Sequence, residues 1–538
     1  MLYILALFAM AAFPQADLAV TGARVYTVNP ANPTASAIAV KAGKILAVGE
    51  DVTAFIGPAT RKIDARGATI LPGFIDSHGH MSALGDSIEI LDLRATRSEQ
   101  EIADLVRKAA LGRNSGDWIR GRSWDQNNWP SRQFPTNAAL STAAPDNPVY
   151  LTRVDGHAGW VNRKAMEIAG LTSTTPDPPG GKLLHDNSGQ LTGVLIDRAQ
   201  ELVTGKIPVP APQQVRERLR RAAAECARLG ITTVHDAGVS SNELDQYRAL
   251  IQDHKLPVRM YAMIGGEGDL WREYLKRGPE IGERLTVRSI KLYADGALGS
   301  RGAALKQPYS DDSGNTGLLM LRSPDIERVA RDAVAHGFQV NTHAIGDLAN
   351  RTVLDGYAAA LGGRNDRRFR IEHAQVVSLE DIPMFEQYSI IASMQPTHAT
   401  SDMPWAEARL GPERIKGAYA WRRFLSLGVH VASGSDFPVE SPNPLWGYYS
   451  AVTRQDRSGM PPGAWFPDQR MTRDEALRSW TIEGAHAAFE EKIKGSLEPG
   501  KLADFVLLSD DITRIPPAEI LKTHVVMTVV GGEVVYAP

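Results

Sequence analysis

The chain carries one cysteine in 538 residues, Cys226. An intrachain disulfide is therefore excluded, and so is a thiolate metal cluster, which needs several cysteines. Cys226 falls on the apolar face of a helix expected over 213–229 and reads as a buried small hydrophobe. Strong charge of either sign is also missing, since the formal net charge is -3. No basic block suggests a nucleic-acid partner, and no acidic tail suggests disorder. A membrane-spanning run is absent too. Met1 to Phe13 is apolar apart from Tyr3 but too short to cross a bilayer comfortably, so no stable membrane anchor is expected. With Pro14-Gln15-Ala16 behind it, this start resembles the core of a secretory signal, residues 1–16, cut after Ala16. Against that stand the lack of a preceding Lys or Arg and the Pro14 where a small residue is usual. A periplasmic or secreted location is favoured over a cytoplasmic one; the other reading is an apolar start without a targeting role.

The length allows two to four domains. From Asp17 to about Ile70, short alternating runs such as Arg24-Val25-Tyr26-Thr27-Val28 and Lys44-Ile45-Leu46-Ala47-Val48 read as antiparallel strands, separated by turn residues. The C-terminus mirrors them, with Phe505-Val506-Leu507-Leu508, His524 to Val530, the turn signal Gly531-Gly532 and Glu533 to Tyr536. Neither end can bury two faces alone, so 17–70 and 491–538 are paired into one β-sandwich. Between them, 71–490 repeats a helix, a glycine and a strand. Gln213 to Leu229 has an apolar face at spacings of three and four, Gly230 caps it, and Ile231-Thr232-Thr233-Val234 follows. Ser323-Pro324 opens a second such unit and Gly337 ends its helix; a third ends at Asp436. Repeated units of this kind indicate an α/β fold, a (β/α)8 TIM-like barrel inserted in the sandwich. The pattern weakens over about 81–147, which is read as an insertion holding Trp118, Trp124 and Trp129, either packed together or lining a mouth. Thr172 to Gly193 reads as a long surface loop.

Six scattered residues, His78, His80, Lys291, His343, His373 and Asp436, each lie at or just after the end of a short apolar stretch. Parallel barrels carry their chemistry at such strand ends, so the six read as one metal site. Their spread excludes a local zinc finger, whose ligands cluster within a few tens of residues. In Leu71-Pro72-Gly73-Phe74-Ile75-Asp76-Ser77-His78-Gly79-His80, strand alternation aims both imidazoles the same way.

At this motif the sequence resembles the amidohydrolase superfamily. Ile290-Lys291-Leu292-Tyr293-Ala294-Asp295-Gly296-Ala297-Leu298-Gly299-Ser300-Arg301 is similar to the fourth-strand motif of its amidohydrolase-3 group, with YtcJ-like and N-substituted formamide deformylase-like members. His343-Ala344-Ile345-Gly346-Asp347, Arg370-Ile371-Glu372-His373, Gln395-Pro396-Thr397-His398 and Gly434-Ser435-Asp436-Phe437-Pro438-Val439 resemble its later motifs, in order. The resemblance implies divalent metal, two zinc ions first and Mn, Fe or Co as alternatives. His78, His80 and Asp436 would hold one ion and His343 and His373 the other. Lys291, N6-carboxylated by carbon dioxide, would bridge them; otherwise it is a salt bridge beside a single ion. Asp436 would take a proton from an activated water and return it to the leaving group.

The substrate is expected to be a small molecule with a C–N bond, in an amide, formamide or cyclic amide. An ester or lactone hydrolase would use the same residues, and a non-catalytic binding protein is the reading from another class. A homodimer is compatible with the sequence. Substrate contacts are expected from His157, which follows the supposed second barrel strand, from Asp295 and Arg301 after the fourth, and from His398, which donates to an oxyanion or packs. His235-Asp236 is read as supporting structure, and Asp347 as a helix cap.

Overall fold

The computed structural model describes residues 14–538. Residues 1–13, most of the expected signal segment, lie outside the described residues. Ala16 is already part of the fold: its N–H donates to Phe55 O, and its carbonyl accepts from Thr60 Oγ1. No helix among the described residues is long and apolar enough to cross a membrane.

Eight parallel strands form the barrel: β1 (Phe74–Gly79), β2 (Ile231–Val239), β3 (Arg259–Gly265), β4 (Leu285–Tyr293), β5 (Gln339–Ala344), β6 (Arg370–His373), β7 (Ile391–Met394) and β8 (Val431–Ser433). They pair in chain order from β1 to β8. Closure comes just beyond β8, where Gly79 bridges Phe437 in parallel and Asp436 N–H donates to His78 O. Gly434 is what permits this approach, because a Cβ there would lie 2.5 Å from the His78 backbone nitrogen. The neighbouring Asp76 carboxylate ties the same seam, accepting from Ser435 N (3.0 Å) and Ser435 Oγ (2.6 Å).

The helices pack outside as the periodicity requires. Helix Pro212–Arg228 buries Val215, Leu219, Ala222 and Cys226 against the barrel, and Gly230 takes φ +83° to turn the chain into β2. Helix Ser323–His336 begins and ends within a residue of expectation, with Gly337 left-handed at its C-cap. Asp347 is the first residue of helix Asp347–Leu361, and its carboxylate accepts from Lys306 N rather than capping that helix.

The sandwich joins both termini. One sheet orders Lys44–Gly49, Ala37–Lys41, Leu18–Thr21 and Arg61–Asp64; in the other, Thr69–Pro72 lies between Arg24–Tyr26 and Phe505–Leu508. Asp504 fastens this unit to the barrel by accepting from Arg259 Nε (2.7 Å) and Nη2 (3.0 Å), both partners buried.

The insertion differs from the sequence reading. A separate six-stranded sheet runs from Leu91 to Asp197, past the expected limit of 147. Val149–Arg153 is not the second barrel strand; it pairs with Ile119–Trp124 and Ala158–Val161 inside this sheet. An apolar run of five residues looks the same in either sheet, so only pairing separates the two. The supposed loop over 172–193 contains the hairpin strand Gly181–His185, paired with Leu191–Asp197. Trp124 and Trp129 pack with Trp160 in the insert core, their ring centroids 5.9–6.2 Å apart. They do not line a mouth.

Candidate metal centre

The six residues converge at the C-terminal end of the barrel, in a cavity of about 330 Å³ that they all line. Barrel geometry brings them there, but two depart from ordinary strand backbone. His373 has φ +72° and Asp436 φ +57°, left-handed values that cost a non-glycine residue about 1 kcal/mol or more. The turn at His373 explains how Glu372 and His373, adjacent in sequence, both reach His78. Glu372 accepts from His78 Nδ1, and the His373 ring centroid lies 5.0 Å from that of His78.

Each first-strand imidazole is fixed through Nδ1 and offers Nε2 to the centre. His80 Nδ1 donates to Ala237 O at 3.0 Å, and His373 Nδ1 likewise donates to Gln395 Oε1 at 2.7 Å. An acceptor behind the ring is the usual support of a metal-binding histidine. His80 Nε2 stands 3.1 Å and His78 Nε2 3.7 Å from Asp436 Oδ1. That oxygen is buried and has no hydrogen-bond partner among the described residues. A buried carboxylate oxygen without a donor needs a cation. Two overlapping sets, His78/His80/Asp436 and His373/His398/Asp436, have ligand atoms within 4.8 Å of one another. These nitrogen and oxygen donors suit zinc and similar divalent ions, so the residues present fit a metal.

Electrostatics keep the ligands available. Burial, with Lys291 beside it, lowers the His78 pKa to about 4, and burial next to His343 holds His373 well below its ordinary value. Both rings are neutral at pH 7 and can donate lone pairs. Lys291 Nζ is 3.4 Å from His78 Nε2 and 4.8 Å from the Tyr293 ring centre. Burial pulls its pKa down to about 8, against the raising effect of Glu372 and Asp436. Glu372 stays ionised despite its burial because Arg370 pairs with it at 2.7 Å.

The remaining candidates separate. His398 is at the centre, its Nε2 3.7 Å from Asp436 Oδ2. His157 lines the cavity with its ring centroid 5.3 Å from that of His343, but it arrives from the insert. Asp295 is fully buried behind His343 and accepts from the backbone N–H groups of Ala304, Ile345 and Gly346. Its carboxylate is committed to holding the fourth- and fifth-strand loops together. Arg301 pairs with Asp311 at 3.1 Å and is not among the cavity-lining residues. His235 Nδ1 accepts from Arg370, and Asp236 accepts from Met81 N and Tyr247 Oη; both are supports. Sequence reasoning passed over Glu372, Gln395 and Asp76. All three lie inside the motifs given above, within three residues of a supposed ligand or site histidine, and that proximity was the available signal.

The Amidohydrolase family model matches residues 61–536. The chain belongs to the amidohydrolase family. The Bacillus subtilis protein YtcJ is 34% identical, with 96% of this chain and 98% of that one covered. The N-substituted formamide deformylase of Arthrobacter pascens is 28% identical over 97% of this chain and 98% of its own. Among solved structures, an uncharacterized metal-dependent hydrolase from Pyrococcus horikoshii superposes with a TM-score of 0.76 at 27% identity, covering 93% of this chain and 99% of that one. Family membership and the donor set together make this amidohydrolase a metal-dependent hydrolase.

Proposed function

We propose that this amidohydrolase cleaves a C–N bond in a small amide, formamide or cyclic amide, with Asp436 as proton shuttle. The observation that carries the reading is the Asp436 carboxylate, whose two oxygens face different imidazoles: His78 and His80 at Oδ1, His398 at Oδ2. His78, His80 and Asp436 would hold one divalent ion, His343 and His373 a second, with zinc the first choice. When bound, such ions supply an activated water and polarise the scissile carbonyl.

The chain's own groups do the rest. Asp436 takes the proton released as water adds to the carbonyl carbon, then gives it to the departing nitrogen. His78, His80 and His373 are held in one tautomer by Glu372, Ala237 O and Gln395, so they need no reorganisation during turnover. Lys291, with its lowered pKa, presents enough free amine to attack carbon dioxide, losing a proton and becoming a carbamate. That modification would turn a cation, which could not ligate metal, into an anion able to help hold the ions. The N-substituted formamide deformylase relative gives formamides their place among the first substrates to test.

Metal-stripped protein titrated with zinc or manganese should gain hydrolysis of N-substituted formamides, N-acyl amino acids or cyclic amides. Turnover of esters or lactones with no amide turnover would replace the C–N assignment by the ester reading. No turnover under any metal would defeat the catalytic reading altogether. With 13C-bicarbonate, the wild-type protein should show a carbamate carbon by NMR that is missing in Lys291→Met.

A further inference from the structure

The insert is not a bystander to the barrel site. Its hairpin between Val149–Arg153 and Ala158–Val161 delivers His157 into the cavity beside His343. His157 Nδ1 is held at 2.6 Å by Asp197 Oδ1, from the last residue of another insert strand. Asp197 is fully buried as a side chain and has φ +47° with ψ -123°, a strained backbone for a non-glycine residue. Its N–H also donates to His157 O at 2.9 Å, so the two residues are locked together at backbone and side chain. His157 Nε2 has no hydrogen-bond partner among the described residues, and it is the only ring nitrogen left for a ligand.

The loop after β4 is cut to fit this pair. A Cβ on Gly296 would lie 2.7 Å from the Asp197 carboxylate oxygens, and one on Gly302 would lie 2.5 Å away. Neither glycine has a positive φ, so chain geometry does not call for them there. The space they leave is occupied by Asp197. Gly299, between them, gives way in the same manner to Arg153 of the insert, whose Nη1 would be 3.0 Å from a Cβ. Three glycines in the loop after β4 thus seat two insert side chains, one of which orients a histidine at the cavity.

We propose that His157 is a substrate-contacting residue contributed by the insert, which hydrogen-bonds the scissile group through Nε2, and that Asp197 is its positioning residue. The proposal rests on the hydrolase reading above. It makes the active site composite: the barrel supplies the metal ligands and the insert supplies the group that faces them across the substrate.

The test uses the full chain loaded with zinc and three readouts: zinc content, affinity for acetohydroxamate by calorimetry, and kcat and KM on a formamide or amide that wild type hydrolyses. His157→Phe keeps the ring shape and removes both nitrogens. Zinc content should stay at the wild-type level, hydroxamate affinity should fall tenfold or more, and kcat should fall by roughly 10²-fold, the usual loss for one preorganised hydrogen-bond group. His157→Gln, which retains a polar nitrogen, should recover part of the loss. Asp197→Asn and Gly302→Ala should lower kcat in the same direction without releasing zinc, a split that damage to overall folding would not give. Unchanged hydroxamate affinity and kcat in both His157 variants would overturn the proposal. Loss of zinc in step with activity would overturn it too, because His157 would then be supporting the ligands. A wild-type protein that binds zinc but neither binds hydroxamate nor turns over any substrate would defeat the hydrolase reading, and this one with it.

Discussion

Replacing Glu372 by alanine should damage stability and metal affinity by separable amounts. The carboxylate is fully buried, pairs with Arg370 Nε at 2.7 Å and Nη2 at 2.9 Å, and accepts from His78 Nδ1. Its loss leaves the Arg370 guanidinium buried with only neutral partners, among them His235 Nδ1 and Ser393 Oγ, both at 2.9 Å. Removing one member of a buried pair costs about 3–5 kcal/mol, because the survivor's charge is no longer compensated. A loss of that size is read from urea unfolding of metal-free protein. The second effect is local to His78, whose ring loses the acceptor that fixes its tautomer. Such support is worth roughly 10–100-fold in metal affinity, or about 1.4–2.8 kcal/mol, measured by zinc titration against a chelator of known affinity. The double variant Arg370→Met/Glu372→Leu separates the two. It removes both charges, so most of the stability should return, while zinc affinity should stay low because His78 still lacks its acceptor. Zinc affinity within twofold of wild type in Glu372→Ala, or a double variant that recovers affinity as well as stability, would refute the reasoning.

Asp436→Asn keeps the shape of the shuttle but cannot accept a proton; kcat should fall by at least about 10²-fold, with a smaller loss of metal content, as steady-state kinetics beside metal analysis would show. Asp504→Ala strips the buried partner from Arg259 at the contact between sandwich and barrel, and urea unfolding should show a loss of about 3–5 kcal/mol with kcat retained in the folded fraction. Burial alone would lower the His157 pKa, but the hydrogen bond and charge of Asp197 outweigh it and raise it from 6.5 to about 9. The stabilisation from that pair is complete below the ordinary value and is lost as pH rises through about 9. The urea midpoint of metal-free protein should therefore drop between about pH 6 and about pH 10, and Asp197→Asn should remove that part of the drop.

What the sequence made legible follows from which interactions are local. Strand alternation and the Pro-Gly turn before Phe74-Ile75-Asp76-Ser77-His78-Gly79-His80 were enough to aim two histidines at one point, because both sit on a single strand end. The helix over 212–228 and its Gly230 stop were readable for the same reason: periodicity and capping act within a few residues. Pairing between distant strands leaves no such trace. Val149–Arg153 has the composition of a buried barrel strand, and only its partners, Ile119–Trp124 and Ala158–Val161, put it in the insert. That one misplacement also moved His157, which seemed from the sequence to stand at a barrel strand end and in fact hangs from a hairpin of a separate sheet.

The residues behind the ligands were hidden for a related reason. Glu372 and Gln395 are ordinary polar letters in a motif until a fold sets one against His78 and the other against His373. Asp295 shows the converse. Its place in a metal-site motif suggested substrate contact, yet three backbone N–H groups, one from its own loop and two from the loop after β5, take up its oxygens. The Asp295 carboxylate is held by backbone donors on both oxygens and by His343 Nε2, 3.4 Å from Oδ1, whereas Asp436 Oδ1, also buried, has no hydrogen-bond donor among the described residues. Both are aspartates one to three residues past a barrel strand, so chemistry and position in sequence cannot tell them apart. Hydrogen-bond partners separate these two: backbone N–H groups hold both Asp295 oxygens, while the Asp436 oxygen that faces His78 and His80 is left for a metal and a proton.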